Sequence, residues 1–334
     1  MYFFFNFSFV IIMEIVGTKW REVFSVLYQL PFNIGHMGIS GFAYFLRNWH
    51  DFQLAISIPS IILISYYWLI PESPRWLLTV GRIEDATNVL AKAAKMNKLP
   101  TEKIQLDLED SFQKRGGDDN IAKGNIFDLF RTPNLRMKTI IMCFNWFACG
   151  LTFFGVAQYV GQAGGDIFIN VTISASLSIP GLIVIYFLKV WGRKKTLIVS
   201  NIMTGVVMIL IAFIPEDIHW LIIALASIGI FGMSISFPTV YLFGGELFPT
   251  VVRNVGVGLA SVCARIGSMV APFIVGLSTY WLPPIIFGIM PILGAAAAFM
   301  LPETLEQPLP ETIEDAELFG KKIAKENENV ENGR

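Results

Sequence analysis

Charge is what this sequence has least of. Lys, Arg, Asp and Glu supply 15% of its 334 residues, where a soluble domain carries about a quarter. The charges are also segregated, leaving long uncharged stretches, and 54% of residues are hydrophobic. With a mean hydropathy of +0.58, this excludes an ordinary soluble globule and defines a membrane composition. Histidine and cysteine are scarce too, at three each. Cys143, Cys149 and Cys263 sit in apolar segments without CxxC or Cys/His spacing, so they read as small buried hydrophobes rather than metal ligands. No Ser/His/Asp or metal constellation converges, which leaves catalysis unsupported. No Walker-type loop is present, so ATP is not the implied energy source. The net charge of −1, without a basic stripe outside membrane flanks, argues against a nucleic-acid partner. No cofactor is implied. Met1–Met13 is apolar but lacks a basic n-region and a cleavage site, and reads as part of a transmembrane helix, not a signal peptide.

Long apolar runs are what the sequence has most of. A spanning helix needs about 20 mostly apolar residues. Eight segments qualify: 23–46, 52–70, 139–161, 167–188, 196–214, 220–244, 255–278 and 283–301. Residues 1–13 read as the inner end of a ninth. With the loop after residue 13 on the cytoplasmic side, 23 of the 25 Lys and Arg fall in cytoplasmic segments, as the positive-inside rule demands. Arg47 falls outside and Arg265 within a span. The C-terminus is then cytoplasmic.

One pattern occurs twice. Glu14 precedes Arg21 by seven positions, as Glu246 precedes Arg253, and Pro71-Glu72-Ser73 is echoed by Pro302-Glu303-Thr304. The offset is 232 residues for the first pair of glutamates and 231 for the second. A self-match at constant offset marks an internal duplication. Six spans follow residue 139, with the Glu/Arg pair after the fourth, so the first copy is expected to have six as well. Its first three, and most of its fourth, then lie ahead of Met1. The expected organisation is a remnant of an N-terminal six-helix half at 1–70, a cytoplasmic linker with short helices at 71–138, a C-terminal six-helix half at 139–301 and a cytoplasmic tail at 302–334. Within the linker, Glu84–Met96 reads as an amphipathic helix, and Gly116-Gly117-Asp118-Asp119 as a flexible break.

Four stretches together carry a resemblance: Pro71-Glu72-Ser73-Pro74-Arg75-Trp76-Leu77, Gly192-Arg193-Lys194-Lys195, Glu246 through Asn254, and Pro302 through Thr312. In this order they resemble the major facilitator superfamily, and within it the organic cation/anion/carnitine transporter family. Asn145-Trp146-Phe147 agrees. The resemblance implies an all-α membrane protein with the major facilitator fold, here lacking roughly its first three helices, and a secondary transporter of small organic ions. Its implied partners are the organic ion and the lipid bilayer, and its implied location the plasma membrane. A sugar carrier of the same superfamily stays open, as does a non-transporting membrane protein. The chain as written is expected to transport poorly.

The repeated charges have their own physical reading. Glu14, Arg21, Glu72, Arg75, Gly192, Arg193, Glu246, Arg253 and Glu303 mark helix ends on the cytoplasmic face, where ion pairs between neighbouring helices can latch that face shut. For substrate contact, Arg265 stands out, because a charge within a span is costly and usually functional. Ser261, Arg265, Ser268 and Pro272 share a helix face by spacing. The resemblance makes Arg265 a substrate-contacting site favouring an anionic or zwitterionic substrate, with a cation still open. Gln29, Asn33, His36 and Ser40 form one polar stripe, facing either a water-filled path or a neighbouring helix. His36 is readable as a proton carrier or as a hydrogen-bonded structural residue. Trp146, Phe153, Tyr159 and Tyr241 are aromatic candidates for stacking on a flat organic ion.

Overall fold

The computed structural model describes residues 9, 11–12, 16, 18–65, 68, 71–79, 81–100, 108, 125–162, 166–178, 183–310 and 312–320. Glu14, the Gly116–Asp119 break and the tail beyond residue 320 lie outside them. No strand occurs among the described residues.

The leading segment holds α1 (Thr18–Leu27), α2 (Leu30–Phe45) and α3 (Trp49–Ser57), the last continuing as a 3-10 turn over Ile58–Ser65. Two short helices follow, α4 (Pro74–Thr79) and the amphipathic α5 (Ile83–Met96). A turn of helix, α6 (Asp128–Arg131), introduces the main bundle. The bundle comprises α7 (Pro133–Gln162), α8 (Ile167–Ser178), α9 (Val184–Val190), α10 (Gly192–Ile211), α11 (His219–Leu247), α12 (Arg253–Val275) and α13 (Leu282–Ala298). The short α14 (Ile313–Leu318) closes the described chain.

Four of the expected spans are single helices long and apolar enough to cross a membrane, namely α7, α10, α11 and α12, and α13 is a shorter apolar one. The expected spans 23–46 and 52–70 are instead interrupted. Proline explains both. Pro31 has no N–H for the Leu27 carbonyl, so the helix stops at Leu27 and restarts at Leu30 with proline in its first turn. Pro59 does the same after Ser57, and the chain tightens into 3-10 geometry. The expected span 167–188 is observed as α8 and α9, with residues 179–182, which include Pro180, outside the described set.

Within lipid there is no hydrophobic drive between helices, so close backbone approach and internal hydrogen bonds hold them together. Glycine supplies the approach between α7 and α12. A Cβ on Gly150 would overlap the Ala264 carbonyl, and one on Gly267 the Phe147 carbonyl. Hydrogen bonds join α7, α10 and α11. The Asn201 amide donates to Asn145 Oδ1 at 3.4 Å, Ser236 Oγ donates to Asn201 Oδ1 at 2.8 Å, and Ser200 and Ser236 hydroxyls meet at 2.7 Å. All four residues are buried.

The C-terminal helix is docked on the start of α7. Thr312 and Asp315 form a capping box that begins α14. Glu317 then accepts from the Asn134 and Leu135 backbone N–H groups at 2.9 and 3.1 Å. In return the buried Lys138 ammonium donates to the carbonyls of Ala316 and Phe319 at 2.8 and 2.7 Å. Each charge meets a helix end of opposite partial sign.

The packing makes opposite demands on two glycines of one helix. Gly267→Ala is expected to destabilise by about 1–3 kcal/mol through overpacking. Gly258→Ala, where nothing lies within 4 Å of the new methyl, is expected to raise stability by up to about 1 kcal/mol through helix propensity. Thermal unfolding in detergent tests this, and equal shifts would contradict the packing.

Candidate functional site

At the lysine- and arginine-rich end of the bundle, four charges are buried together. Arg193 opens α10, Glu246 closes α11, and Arg21 and Glu22 are neighbours on α1. The Arg193 guanidinium grips Glu246 with two parallel bonds, Nε to Oε2 and Nη2 to Oε1, each 2.9 Å. Its Nη2 also donates to Glu22 Oε1 at 2.9 Å, and Nη1 to the Leu188 carbonyl at 3.3 Å. Arg21 Nη1 stands 3.8 Å from Glu246 Oε1, and Thr304 Oγ1 donates to Glu246 Oε2 at 2.6 Å. Two cations and two anions cancel, and every short contact is a charge-assisted hydrogen bond, the condition under which such a cluster survives burial. A cavity of about 720 Å³ borders it, walled on its other side by Lys189 and the segment Leu305–Pro308.

Glu303 serves the same end of the molecule differently. Its carboxylate accepts from the backbone N–H groups of Arg193 and Lys194 at 2.9 and 3.1 Å, and from those of Thr304 and Leu305 at 2.9 and 3.1 Å. It therefore caps the positive end of α10. Gly192 makes room for it. Its φ is +84°, and a Cβ there would come within 2.5 Å of Glu303 Oε2. Glu72, the counterpart of Glu303 in the repeat, is exposed and pairs with Arg82 at 3.1 Å, while Arg82 also binds Asp85 at 2.8 Å. The hydrogen bond that Arg82 donates to Asp85, then the charges of Asp85 and Glu72, raise the Arg82 pKa above its ordinary value. Arg75 is the second residue of α4. Arg253 opens α12, fully buried, with Nε donating to the Phe248 carbonyl at 3.3 Å.

Above the charge cluster, aromatic rings form a continuous array between the leading segment and the bundle. Tyr241 on α11 lies 4.2 Å from Trp146 of α7 with the rings tilted by 56°, and meets Phe9 at 5.2 Å and Phe237 at 5.8 Å. Phe9 reaches Tyr28 at 6.1 Å. Phe237 leads to Phe153 at 5.7 Å, and Phe153 to Phe32 and His36 of α2 at 6.3 and 6.4 Å. Trp146 Nε1, Gln29 Nε2 and His36 Nδ1 are buried polar atoms without a hydrogen-bond partner among the described residues. Unpaired buried groups are costly.

The polar stripe of α2 thus faces its neighbouring helices. His36 looks toward Phe153, and Ser40 shares a hydrogen bond with Thr172 of α8 at 2.9 Å. Asn33, one turn before His36, is half-buried. At the far end, the Arg47 guanidinium lies 4.6 Å from the Phe168 ring centre and 5.2 Å from that of Tyr44. Arg265, Ser268 and Pro272 line a second cavity, of about 440 Å³, with Phe154 and Gln158 of α7. Ser261, expected on the same face, is buried outside that cavity. Phe154 touches Phe153 at 5.4 Å and so links the cavity to the array. Tyr159 stands apart from both. It lies in an apolar cluster against which Tyr280 packs, and the Tyr280 hydroxyl donates to the Ile214 carbonyl at 2.8 Å.

Sequence reasoning missed Glu22, Thr304, Phe9, Phe32 and Phe237. Glu22 adjoins Arg21 in the sequence, and that adjacency was the available signal. Thr304 follows Glu303 within the repeated motif.

An all-helical bundle with apolar spans, an ion cluster at one end and an aromatic interior defines a membrane protein of the major facilitator fold. The comparison with solved structures agrees. The proton:xylose symporter XylE superposes with a TM-score of 0.70 at 16% identity, covering 94% of this chain and 70% of that one. A second structure of the xylose transporter, from E. coli, gives 0.66 at 19% identity. Residues 4–316 match the family model described as sugar (and other) transporter, and the chain belongs to that family. Among curated relatives, an organic cation transporter protein of Drosophila melanogaster is 40% identical over 334 residues, which cover 98% of this chain and 61% of the relative. Solute carrier family 22 member 1 of Oryctolagus cuniculus is 37% identical over 321 residues, covering 94% of this chain and 57% of the relative. The chain thus spans about three fifths of the length of the relatives it matches.

The charge cluster ranks its own members. Arg193→Gln strips Glu246 of its bidentate partner and is expected to cost about 3–5 kcal/mol. Glu22→Gln keeps an acceptor for Arg193 and leaves Glu246 paired, and is expected to cost about 1 kcal/mol. Thermal or denaturant unfolding of both variants checks the order, and a reversed order would contradict the assignment.

Proposed function

We propose that this chain belongs to a secondary carrier that moves small organic ions across the plasma membrane by alternating access, with its C-terminus cytoplasmic. The observation that carries the reading is the aromatic array with its three unpartnered polar atoms, built jointly by the leading segment and the bundle. A substrate seated there touches both repeats at once, which is the geometry a rocking mechanism uses. The Arg193–Glu246–Glu22–Arg21 cluster then acts as the cytoplasmic latch, and the Arg47–Phe168 contact lies at the outer end of the same seam.

Arg265 sets the favoured charge. Its cavity continues from Phe153 through Phe154, so a ligand whose flat or alkylated body packs on the rings directs an anionic group toward the guanidinium. An anion or zwitterion fits this best. A cation is the second reading, favoured by the array, whose ring faces attract positive charge, and by the names of the organic cation transporter relatives.

Equilibrium binding to the 334-residue chain in lipid nanodiscs separates the readings. Carnitine, a urate-like anion, tetraethylammonium and glucose are the probes. The expected outcome is saturable binding of carnitine or the anion, weakened at least about tenfold by Arg265→Gln, equivalent to about 1.4 kcal/mol. Binding of tetraethylammonium unaffected by that change would select the cation reading. Saturable binding of glucose alone would overturn both.

A further inference from the structure

The Arg265 cavity holds a polar side chain whose hydrogen-bonding capacity is already half spent. Ser268 follows Arg265 by three positions on α12, so the two share a face. Both line the cavity of about 440 Å³, with Phe154, Gln158, Met269 and Pro272. The Ser268 hydroxyl donates to the Arg265 carbonyl, one turn back, at 2.8 Å. A hydroxyl has one proton, so this bond leaves Ser268 Oγ with only lone pairs to offer. The backbone adds a second acceptor at the same level. In an unbroken α-helix the Ser268 carbonyl takes the N–H of residue 272, and here that residue is proline, which has none. One face of α12 thus presents a guanidinium and, a turn further on, two oxygen acceptors. From α7, Gln158 brings to the same cavity an amide that donates as well as accepts.

We propose that Ser268 is a specificity-determining residue, and that the group this cavity takes is a carboxylate with a hydroxyl one or two carbons away, the polar end of a hydroxy acid. The proposal rests on the anion reading of Arg265 given above and narrows it. The carboxylate accepts from Arg265 and from the Gln158 amide, in charge-assisted hydrogen bonds. The ligand hydroxyl donates to Ser268 Oγ. Residues three apart on a helix hold their Cβ atoms about 5–6 Å from each other, a span that a carboxylate and a nearby hydroxyl bridge together. A plain carboxylate of the same length brings a C–H to Ser268 and leaves its lone pairs unanswered. A site built to bond a hydroxyl discriminates against the analogue lacking it, because the protein's own polar group then goes unpaired. Phe154 and Met269 supply apolar walls, and the body of the ligand extends past Phe154 to Phe153 and the aromatic array.

The test compares equilibrium binding of carnitine, a 3-hydroxy acid, with that of its deoxy analogue, to the 334-residue chain in nanodiscs. The analogue carries hydrogen in place of the hydroxyl and matches carnitine in charge and chain length. The wild-type chain is expected to bind carnitine about fivefold tighter, the net worth of one hydrogen bond. Ser268→Ala is expected to bring the two affinities within about twofold of each other, through weaker binding of carnitine. Arg265→Gln is expected to weaken both ligands and leave the preference between them standing. Equal wild-type affinity for the two ligands overturns the assignment of Ser268 and leaves the anion reading in place, and so does a Ser268→Ala chain that binds both more weakly in equal measure. Binding of neither ligand by the wild-type chain, or binding of both untouched by Arg265→Gln, overturns the anion reading and this proposal with it. The wild-type preference reads the site whether or not the variants fold.

Discussion

The bidentate grip of Arg193 on Glu246 is the constraint on which the charged end of this molecule depends. Both residues belong to the bundle, at the start of α10 and the end of α11, and both are almost fully buried. A lone buried charge costs several kcal/mol, so neither position tolerates the loss of the other. The grip also dictates what surrounds it. The Arg193 backbone N–H is taken by Glu303, which requires a residue without Cβ at position 192. The second Glu246 oxygen is shared with Thr304, so the segment following α13 is fixed against the same pair. The repeated Pro-Glu motif and the Gly-Arg run are thus one structure viewed from two places in the sequence.

The two copies of the Pro-Glu motif behave differently. Glu303 caps the start of α10, whereas Glu72 pairs with Arg82 on the surface, and an exposed pair of this kind contributes little to stability. Equal spacing in the sequence does not make equal structure when the groups around the motif differ.

Much of this was legible in the sequence, and the reasons for the rest are specific. The long apolar runs of α7, α10, α11 and α12 announce themselves, because lipid rewards continuous apolarity. The interruptions at Pro31 and Pro59 do not, because proline within a membrane span is often tolerated and hydropathy outweighs it in a window. Glu246 and Glu303 stood out through the repeat and Arg193 through the Gly-Arg run, but a sequence pattern gives intervals along the chain and not partners across it. Glu22 escaped because the repeated pair drew attention to Arg21. Trp146, Phe153 and Tyr241 could be named from their places on spans. Phe9, Phe32 and Phe237 could not, since the sequence holds 28 phenylalanines and nothing but tertiary contact distinguishes the ones that close the array.

The ownership of the four charges has a consequence for motion. Arg193 and Glu246 both sit on the bundle, whereas Arg21 and Glu22 both sit on α1. If α1 swings away from the bundle, the bidentate pair and its bond to Thr304 stay whole. Between the four charges, the Arg193–Glu22 bond at 2.9 Å and the longer Arg21–Glu246 approach at 3.8 Å are lost. A hydrogen bond to a charged group contributes about 1.5–3 kcal/mol net, and the 3.8 Å approach less. Opening therefore costs a few kcal/mol, not the much larger penalty of exposing unpaired charges to a dry interior. Arg21 and Glu22 would meet water as neighbours of opposite sign on one helix. A differential affinity of that size is within reach of a small ligand that contacts the aromatic array in one arrangement and loses part of it in the other. A cluster divided the other way, with each side holding one sign, would strand four charges on separation and demand far more of any ligand that drives it.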